Sequence, residues 1–209
     1  MDRKVIRNLS YGMYVIGACD DRNVGCTVNT VVQITSDPVT VIVSINKDNY
    51  THGVISKTGK FSVSILGETV DPKIIGTFGY SSSKDTDKYK DVSTYDLDGM
   101  PIISDSIGGM ICEVVSTMDT STHTVFLGKV VNMANYKEEN AMTYKYYREV
   151  LKGKSPKNAP TYVKEEDTKE KKTVWRCPIC GYEVEADELP SDYVCPICGA
   201  PGSIFTKVE

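Results

Sequence analysis

The chain has 209 residues, 40% hydrophobic and 25% charged, an ordinary globular composition that argues against disorder, a collagen-like fibre or a membrane bundle. At roughly 150 residues per domain, that length holds one large domain, or a medium domain with a small companion. The net charge of −4 gives no basis for general binding to nucleic acid or anionic lipid, and without a run of 18 apolar residues no transmembrane helix is expected.

The elements read as follows in chain order. Residues 2–9 form a short polar amphipathic helix with no apolar signal core, which places the protein in the cytoplasm. Residues 11–19 are rich in β-formers and stop at Asp20-Asp21-Arg22-Asn23; residues 25–35 follow as a second strand, so the two predict a hairpin. Asp37-Pro38 breaks the run and residues 39–45 resume it. A helix is expected over 50–57, a strand of period two over 61–66, and a short helix over 71–78 with Pro72 at its first position. Residues 102–118 and 124–132 are long β-like stretches, and 138–151 shows near-helical spacing that ends before Gly153. Many strands, few helices and no regular β-α alternation predict a mainly β fold, an antiparallel barrel, over residues 1–163.

Residues 164–172 are nine positions of which eight are charged, so 164–173 reads as a solvated linker. Charge divides around it. Residues 1–151 hold 15 basic against 18 acidic side chains, 152–173 hold 7 against 4, and 174–209 hold 2 against 6. The small acidic module at 174–209 carries the strongest signal in the chain. Cys177-Pro-Ile-Cys180-Gly181 and Cys195-Pro-Ile-Cys198-Gly199 are two C-x-x-C knuckles. Two cysteines three apart meet one ion only if the backbone turns tightly between them, and the glycine after each pair permits the left-handed residue that finishes such a turn. Four thiolates then surround one tetrahedral metal, iron or zinc. Cys19, Cys26 and Cys112 are scattered, as buried thiols in a reducing compartment are.

The stretches 174–182 and 189–200 resemble the two knuckles of a rubredoxin, with Phe205 at the place of a late core aromatic and Trp175, Tyr182 and Tyr193 completing an apolar shell. The short loop between the pairs is like that of rubrerythrin tails. The resemblance favours iron over a zinc ribbon, and such a centre carries single electrons without substrate chemistry.

The barrel has no G-x-G-x-x-G after a predicted strand and no P-loop. A one-electron carrier still needs an electron source, and a flavin is the converter from hydride to single electrons. The segments 26–38, 43–52, 78–83 and 122–131 resemble the flavin reductase-like family, the FMN-binding split barrels. With the rubredoxin-like tail, the chain resembles the high-molecular-weight rubredoxins of anaerobic bacteria. That resemblance implies an NAD(P)H:rubredoxin oxidoreductase. Hydride passes to FMN, single electrons pass to the fused four-cysteine iron, and an external acceptor such as a flavodiiron oxygen or nitric oxide reductase follows. It also implies a homodimer.

Carried over residue by residue, Thr27, Asn29 and Thr30 line the isoalloxazine edge and ribityl chain. Ser44, Asn46, Lys47 and Thr51 hold the ribityl and phosphate end, where a dianion wants a cation and a helix start. Ser82 and Ser83 belong to a donor-rich loop that closes over the phosphate, and His52 is a donor to the flavin. His123 stands where flavin reductases carry Gly-Asp-His at the nicotinamide pocket, with Ser121-Thr122 replacing Gly-Asp. The prolines of residues 152–162 favour an extended chain, laid over the flavin mouth or across a partner subunit. Two other readings stay open: a flavin or ferric reductase that releases reduced flavin or reduces chelated iron, and a zinc-ribbon binding module on an inert barrel.

Overall fold

Asp20, Asp21 and Arg22 turn the chain between β1 (Tyr14–Cys19) and β2 (Asn23–Val28), which pair antiparallel as the hairpin pattern predicts. In this computed structural model the described residues are 3–154, 156, 157, 159–162 and 173–208. The N-terminal segment is a 3-10 helix, Arg3–Asn8. The expected strand over 25–35 is two strands, β2 and β3 (Val31–Ser36), separated by Asn29-Thr30. Continuous β propensity across this stretch hides the break.

That break organises the fold. Seven strands form one sheet in the order β2-β1-β5-β8-β9-β4-β3, with β4 at Val39–Asn46, β5 at Lys60–Leu66, β8 at Ser106–Asp119 and β9 at His123–Asn135. The ladder ends on β2 and β3, yet only two residues join them. Three Cα–Cα steps span at most about 11 Å, so the sheet must roll until its edges approach. The outcome is a barrel split along one seam, with no ladder across it, and Asn29 and Thr30 stand at the end of the split. Phe61, Phe126, Ile16, Val43, Ile45 and Val63 fill the roll, with Ile55 of α1 (Tyr50–Thr58) packed against them.

Local chemistry sets the helix ends. Asn49 caps α1 by accepting from Thr51 N at 3.0 Å, and Gly59, at φ 69°, closes it. Asp71 caps α2 (Pro72–Tyr80), which starts on Pro72. The buried Lys88 donates its ammonium to Phe78 O at 3.1 Å, near the end of α2, and to Gly25 O at 2.9 Å on β2. The cation therefore meets the negative end of the helix dipole.

Two expectations are corrected here. The long β stretch over 102–118 is interrupted after β7 (Met100–Ile103), which pairs with β6 (Thr94–Leu97) around Asp98-Gly99. Both turn residues have positive φ, 52° and 75°, and the Asp-Gly pair is the sequence signal for such a hairpin. The helix over 138–151 is only α3 (Tyr144–Glu149). Residues 140–143 bind elsewhere: Met142 N donates to Leu66 O at 2.8 Å, and Asn140 O accepts from Glu68 N at 3.0 Å. Thr143 then caps the helix that remains.

The chain separates into two compact units, Met1–Tyr162 and Val163–Glu209. Residues 163–172, with the charged stretch 164–172, lie outside the described residues. The second unit has a three-stranded sheet in the order β11-β10-β12, built from β10 (Val174–Arg176), β11 (Glu183–Glu185) and β12 (Thr206–Val208). Among the described residues no helix is long and apolar enough to cross a membrane.

Candidate cofactor cavity and cysteine cage

A cavity of about 330 Å³ lies where the split opens. Thr27, Asn29 and Thr30 supply one wall, Ser44 and Asn46 at the end of β4 the next, and His123 a third. Ile75 and Phe78 of α2 give it an apolar side, and Ser81 and Ser82 follow at the end of that helix. Lys154, Pro156, Ala159, Pro160 and Thr161 line it from the end of this unit. Asn29 Nδ2 donates to Thr161 Oγ1 at 3.0 Å, and Tyr80 and Tyr147 both donate a hydroxyl to Lys154 O. The described residues here turn rather than extend, with Ala159 N donating to Pro156 O and Tyr162 N to Ala159 O, each at 3.0 Å, and they form a strap along the cavity.

Seven of the expected residues line this cavity: Thr27, Asn29, Thr30, Ser44, Asn46, Ser82 and His123. Thr30 Oγ1 donates to Ser44 O at 2.9 Å, extending the β3–β4 pairing by one step to the cavity wall. Four expected residues do not line it. Ser83 is 2% exposed, and its hydroxyl both donates to Gly25 O and accepts from Gly25 N, pinning the 81–88 loop to β2. Thr51 is 0% exposed under α1. Lys47 turns to the β8–β9 hairpin, where Nζ donates to Thr120 O at 2.8 Å and pairs with Asp119 at 3.5 Å. His52 packs edge-on to Phe126 at 5.2 Å and places Nε2 2.8 Å from Thr124 Oγ1. The reason is directional: β4 ends at Asn46, and α1 carries the residues just after its start inward.

Thr124 gives its only proton to Asp119 at 2.6 Å, so its oxygen accepts from His52 Nε2–H. The His52 ring is thus held as a donor to a hydroxyl that is itself bound to a carboxylate. Its pKa lies below the ordinary 6.5; burial is the main cause, Asp119 opposes it and Lys47 reinforces it. A histidine with a lowered folded-state pKa takes up fewer protons folded than unfolded. Its contribution to stability is full above about 6.5 and is lost as pH falls through the lowered value. Thermal unfolding should thus show a stability decline on the acid side of 6.5, and His52→Gln should flatten it. An unchanged pH profile in that variant would assign the decline to other groups.

The turn after β8 compensates for the missing Gly-Asp. Thr122 Oγ1 lies 2.8 Å from His123 Nδ1, so a hydroxyl orients the imidazole in place of a carboxylate. Sequence reading had no signal for this bond. It also missed Lys154 at the cavity rim, although the pattern Lys-Gly-Lys-Ser-Pro-Lys contains it.

The second unit builds its cage from two equivalent turns. Gly181 N donates to Cys177 O and Gly199 N to Cys195 O, each at 2.9 Å, with both glycines at positive φ, 75° and 72°. The four Sγ atoms all lie within 4.8 Å of one another, and the cross pairs Cys177–Cys198 and Cys180–Cys195 are 3.6 and 3.5 Å apart. An ion with bonds of about 2.3 Å to four sulfurs needs tetrahedron edges of about 3.8 Å. A disulfide needs about 2.05 Å, so these are free thiols set for a metal. Burial raises the Cys195 thiol, but backbone N–H groups of Cys198 and Ile197 and the neighbouring thiols outweigh it, bringing the group to about 7. Cys177 is shifted down as well, whereas at Cys180 and Cys198 the backbone N–H groups of Tyr182 and Ala200 are outweighed by burial and the neighbouring thiols, which push Cys180 up and Cys198 up to about 12. Trp175, Tyr182, Tyr193 and Phe205 pack around Cys177 and Cys195, while Cys180 and Cys198 face outward.

Comparison with known proteins matches both units. The model of the flavin reductase like domain covers residues 6–154, and that of the rubrerythrin, rubredoxin-like domain covers 175–206. The chain is 40% identical over 161 residues to a high molecular weight rubredoxin of Moorella thermoacetica, covering 75% of this chain and 70% of that one. It is 34% identical over 160 residues to a ferric-chelate reductase (NAD(P)H) of Archaeoglobus fulgidus, covering 75% of this chain and 95% of that one. Among solved structures, the NADH:FAD oxidoreductase SgcE6 of Streptomyces globisporus superposes with a TM-score of 0.63 at 22% identity, over 68% of this chain and 85% of that one, a likeness of fold. With two thirds of its length matched by the one model and its cysteine cage by the other, the chain belongs to the flavin reductase-like family and carries a rubredoxin-like domain at its C-terminal end.

Proposed function

We propose that this chain is an NAD(P)H:rubredoxin oxidoreductase with its rubredoxin attached. The observation that carries the reading is the pairing, in one chain, of a donor-lined cavity at the barrel split with a cage of four thiolates. The cavity fits FMN: its volume is within the range of cofactor sites, α2 offers an apolar side to a ring, and Asn29, Thr30, Ser44, Asn46 and Ser82 offer polar groups. Bound there, a flavin accepts a hydride and gives up electrons one at a time. The chain's residues position and shield it. His123 stands at the reductant side, Thr122 holds its ring, and the strap keeps water out. The four cysteines hold iron in a closed shell with no open position, and the outward Cys180 and Cys198 are where electrons leave.

In this reading the flavin unit is 1–163, the linker 164–173 and the iron unit 174–209. Fusion in one chain keeps the iron at high effective concentration relative to the flavin. A flavodiiron protein is the acceptor. The protein is cytoplasmic and dimeric; Val32 and Ile34 on the edge strand β3 and Met118 and Met133 on β8 and β9 are exposed apolar side chains that a second copy would cover.

The test is the order of reduction. The purified chain should hold one iron and about one FMN. Flavin-free protein given NADH should keep its iron oxidised, and added FMN should restore reduction; rapid iron reduction without flavin would overturn the scheme. The ferric-chelate reductase relative supports a second reading, a flavin or ferric reductase that acts on a free flavin or on chelated iron. Retention of flavin through gel filtration decides between them.

The Thr122–His123 bond gives a sharper prediction. Thr122→Val should lower NADH-driven flavin reduction by roughly fivefold, the worth of one hydrogen bond of about 1 kcal/mol. Thr122→Ser should retain most of it. Stopped-flow flavin bleaching reads both, and equal rates in Val and Ser variants would mean the bond does not orient the ring.

A further inference from the structure

The cavity reaches His123, the first residue of β9. A second cavity of about 440 Å³ adjoins it there, between Thr120, Thr122 and His123 on one side and Lys157, Ala159 and Pro160 of the strap on the other. Ser44, Asn46, His123, Ala159 and Pro160 line both. The two are one trough, with His123 at the divide and the strap along both.

Its walls are fixed. Lys47 holds the β8–β9 turn twice, from its backbone N to Thr122 O at 2.9 Å and from Nζ to Thr120 O at 2.8 Å. Thr120 Oγ1 is committed to His123 O at 2.7 Å. The strap is anchored at Lys154 and Thr161, and the turn between them is closed by Ala159 N donating to Pro156 O at 3.0 Å. Charge is uneven. Lys157 carries the only formal charge lining the second cavity among the described residues. The nearest acid on the opposing turn, Asp119, is already occupied by Lys47 and Thr124. Lys154 lines the first cavity and not the second. The strap thus presents one lysine to each compartment.

We propose that the second cavity binds the pyrophosphate of the dinucleotide reductant and that Lys157 is the residue that recognises it. The inference rests on the flavin reading above. A nicotinamide set against the ring beside His123 must lead its ribose and pyrophosphate away from the flavin, and the second compartment is the adjoining space. A pyrophosphate bears two negative charges and needs a cation in reach. With Lys47 tied to Asp119 and Lys154 on the other compartment, Lys157 is the cation available there.

The experiment compares Lys157→Ala and Lys157→Arg in the flavin-loaded full chain, with two reductants. NADH carries the pyrophosphate, and 1-benzyl-1,4-dihydronicotinamide carries no phosphate. Lys157→Ala should raise the KM for NADH by about tenfold with kcat within about twofold, as expected for a lost charge-assisted hydrogen bond. Lys157→Arg should restore most of it, and neither variant should change kcat/KM for the benzyl reductant or the affinity for FMN. Calorimetric titration with ADP-ribose, which has the pyrophosphate and no nicotinamide, should show the same roughly tenfold loss. Equal losses with both reductants would overturn the proposal in favour of a strap that merely holds shape. A weaker FMN affinity with unchanged NADH KM would overturn it in favour of the cofactor's phosphate. If neither reductant bleaches the flavin of the unsubstituted chain, the functional reading fails, and the ADP-ribose titration alone decides this site: Lys157-dependent binding upholds it and absence of binding overturns it.

Discussion

Cys177→Ala should abolish iron binding and unfold the C-terminal unit while leaving the flavin unit intact. Cys177 is 0% exposed and sits at the centre of a core otherwise made of Cys195, Ala200 and Phe205 with a rim of aromatics. A module of this size cannot bury enough apolar surface to fold alone, and units below about 40 residues generally rely on a metal or disulfides. A four-ligand structural metal contributes on the order of 10 kcal/mol to such a fold. Three thiolates and an alanine would forfeit nearly all of it. Metal analysis should show iron falling to near zero, and the visible ferric-thiolate bands should vanish. Trp175 is the chain's single tryptophan and donates to Ala186 O at 3.0 Å within this unit. Its emission should therefore red-shift as the unit opens, without interference from the barrel. Flavin content should be unchanged. Iron retained at full occupancy, or flavin lost with the iron, would contradict two independent units.

Phe126→Ala is the reciprocal case. Phe126 is 1% exposed on β9, registers with Val43 of β4 and packs on His52. Truncating a buried phenylalanine costs about 3–5 kcal/mol, a large share of the 5–15 kcal/mol net stability typical of a domain. The thermal midpoint of the barrel should fall by roughly 10 °C. The change should also weaken flavin binding, because β9 carries His123 opposite Asn46 on β4, and both face the cavity. Iron content and the Trp175 emission should stay as they are. Differential scanning calorimetry with metal analysis reads both. A barrel midpoint shifted by less than about 2 °C would mean that the roll is not held by this ring.

The metal site was readable because its geometry is local. Cys177 and Cys180, and Cys195 and Cys198, reach their ion through turns of four residues, so spacing along the chain nearly equals placement in space. The cavity was readable in part. Asn29, Thr30, Ser44 and Asn46, which the resemblance singles out, carry polar groups at strand ends and line the cavity. Lys47, Thr51, His52 and Ser83 had suitable chemistry, but each turns away from the cavity. Which way a residue faces just past a strand depends on where the strand ends and what the next helix packs against. A one-residue difference reverses the answer.

The sequence by itself determined the mainly β class, the helix starts at Tyr50 and at Asp71-Pro72, and the four-cysteine cage. Each follows from propensity, a cap or a knuckle acting over a few residues. Only the tertiary structure decided that β2 and β3 take opposite edges of one sheet, that the edges meet in a split, and that the strap lines it with Lys154 and Lys157 in separate compartments. These depend on contacts between residues far apart in the chain, such as Asn29 with Thr161 and Tyr80 with the carbonyl of Lys154. Their formation is governed by the packing of the whole barrel, which no local pattern encodes.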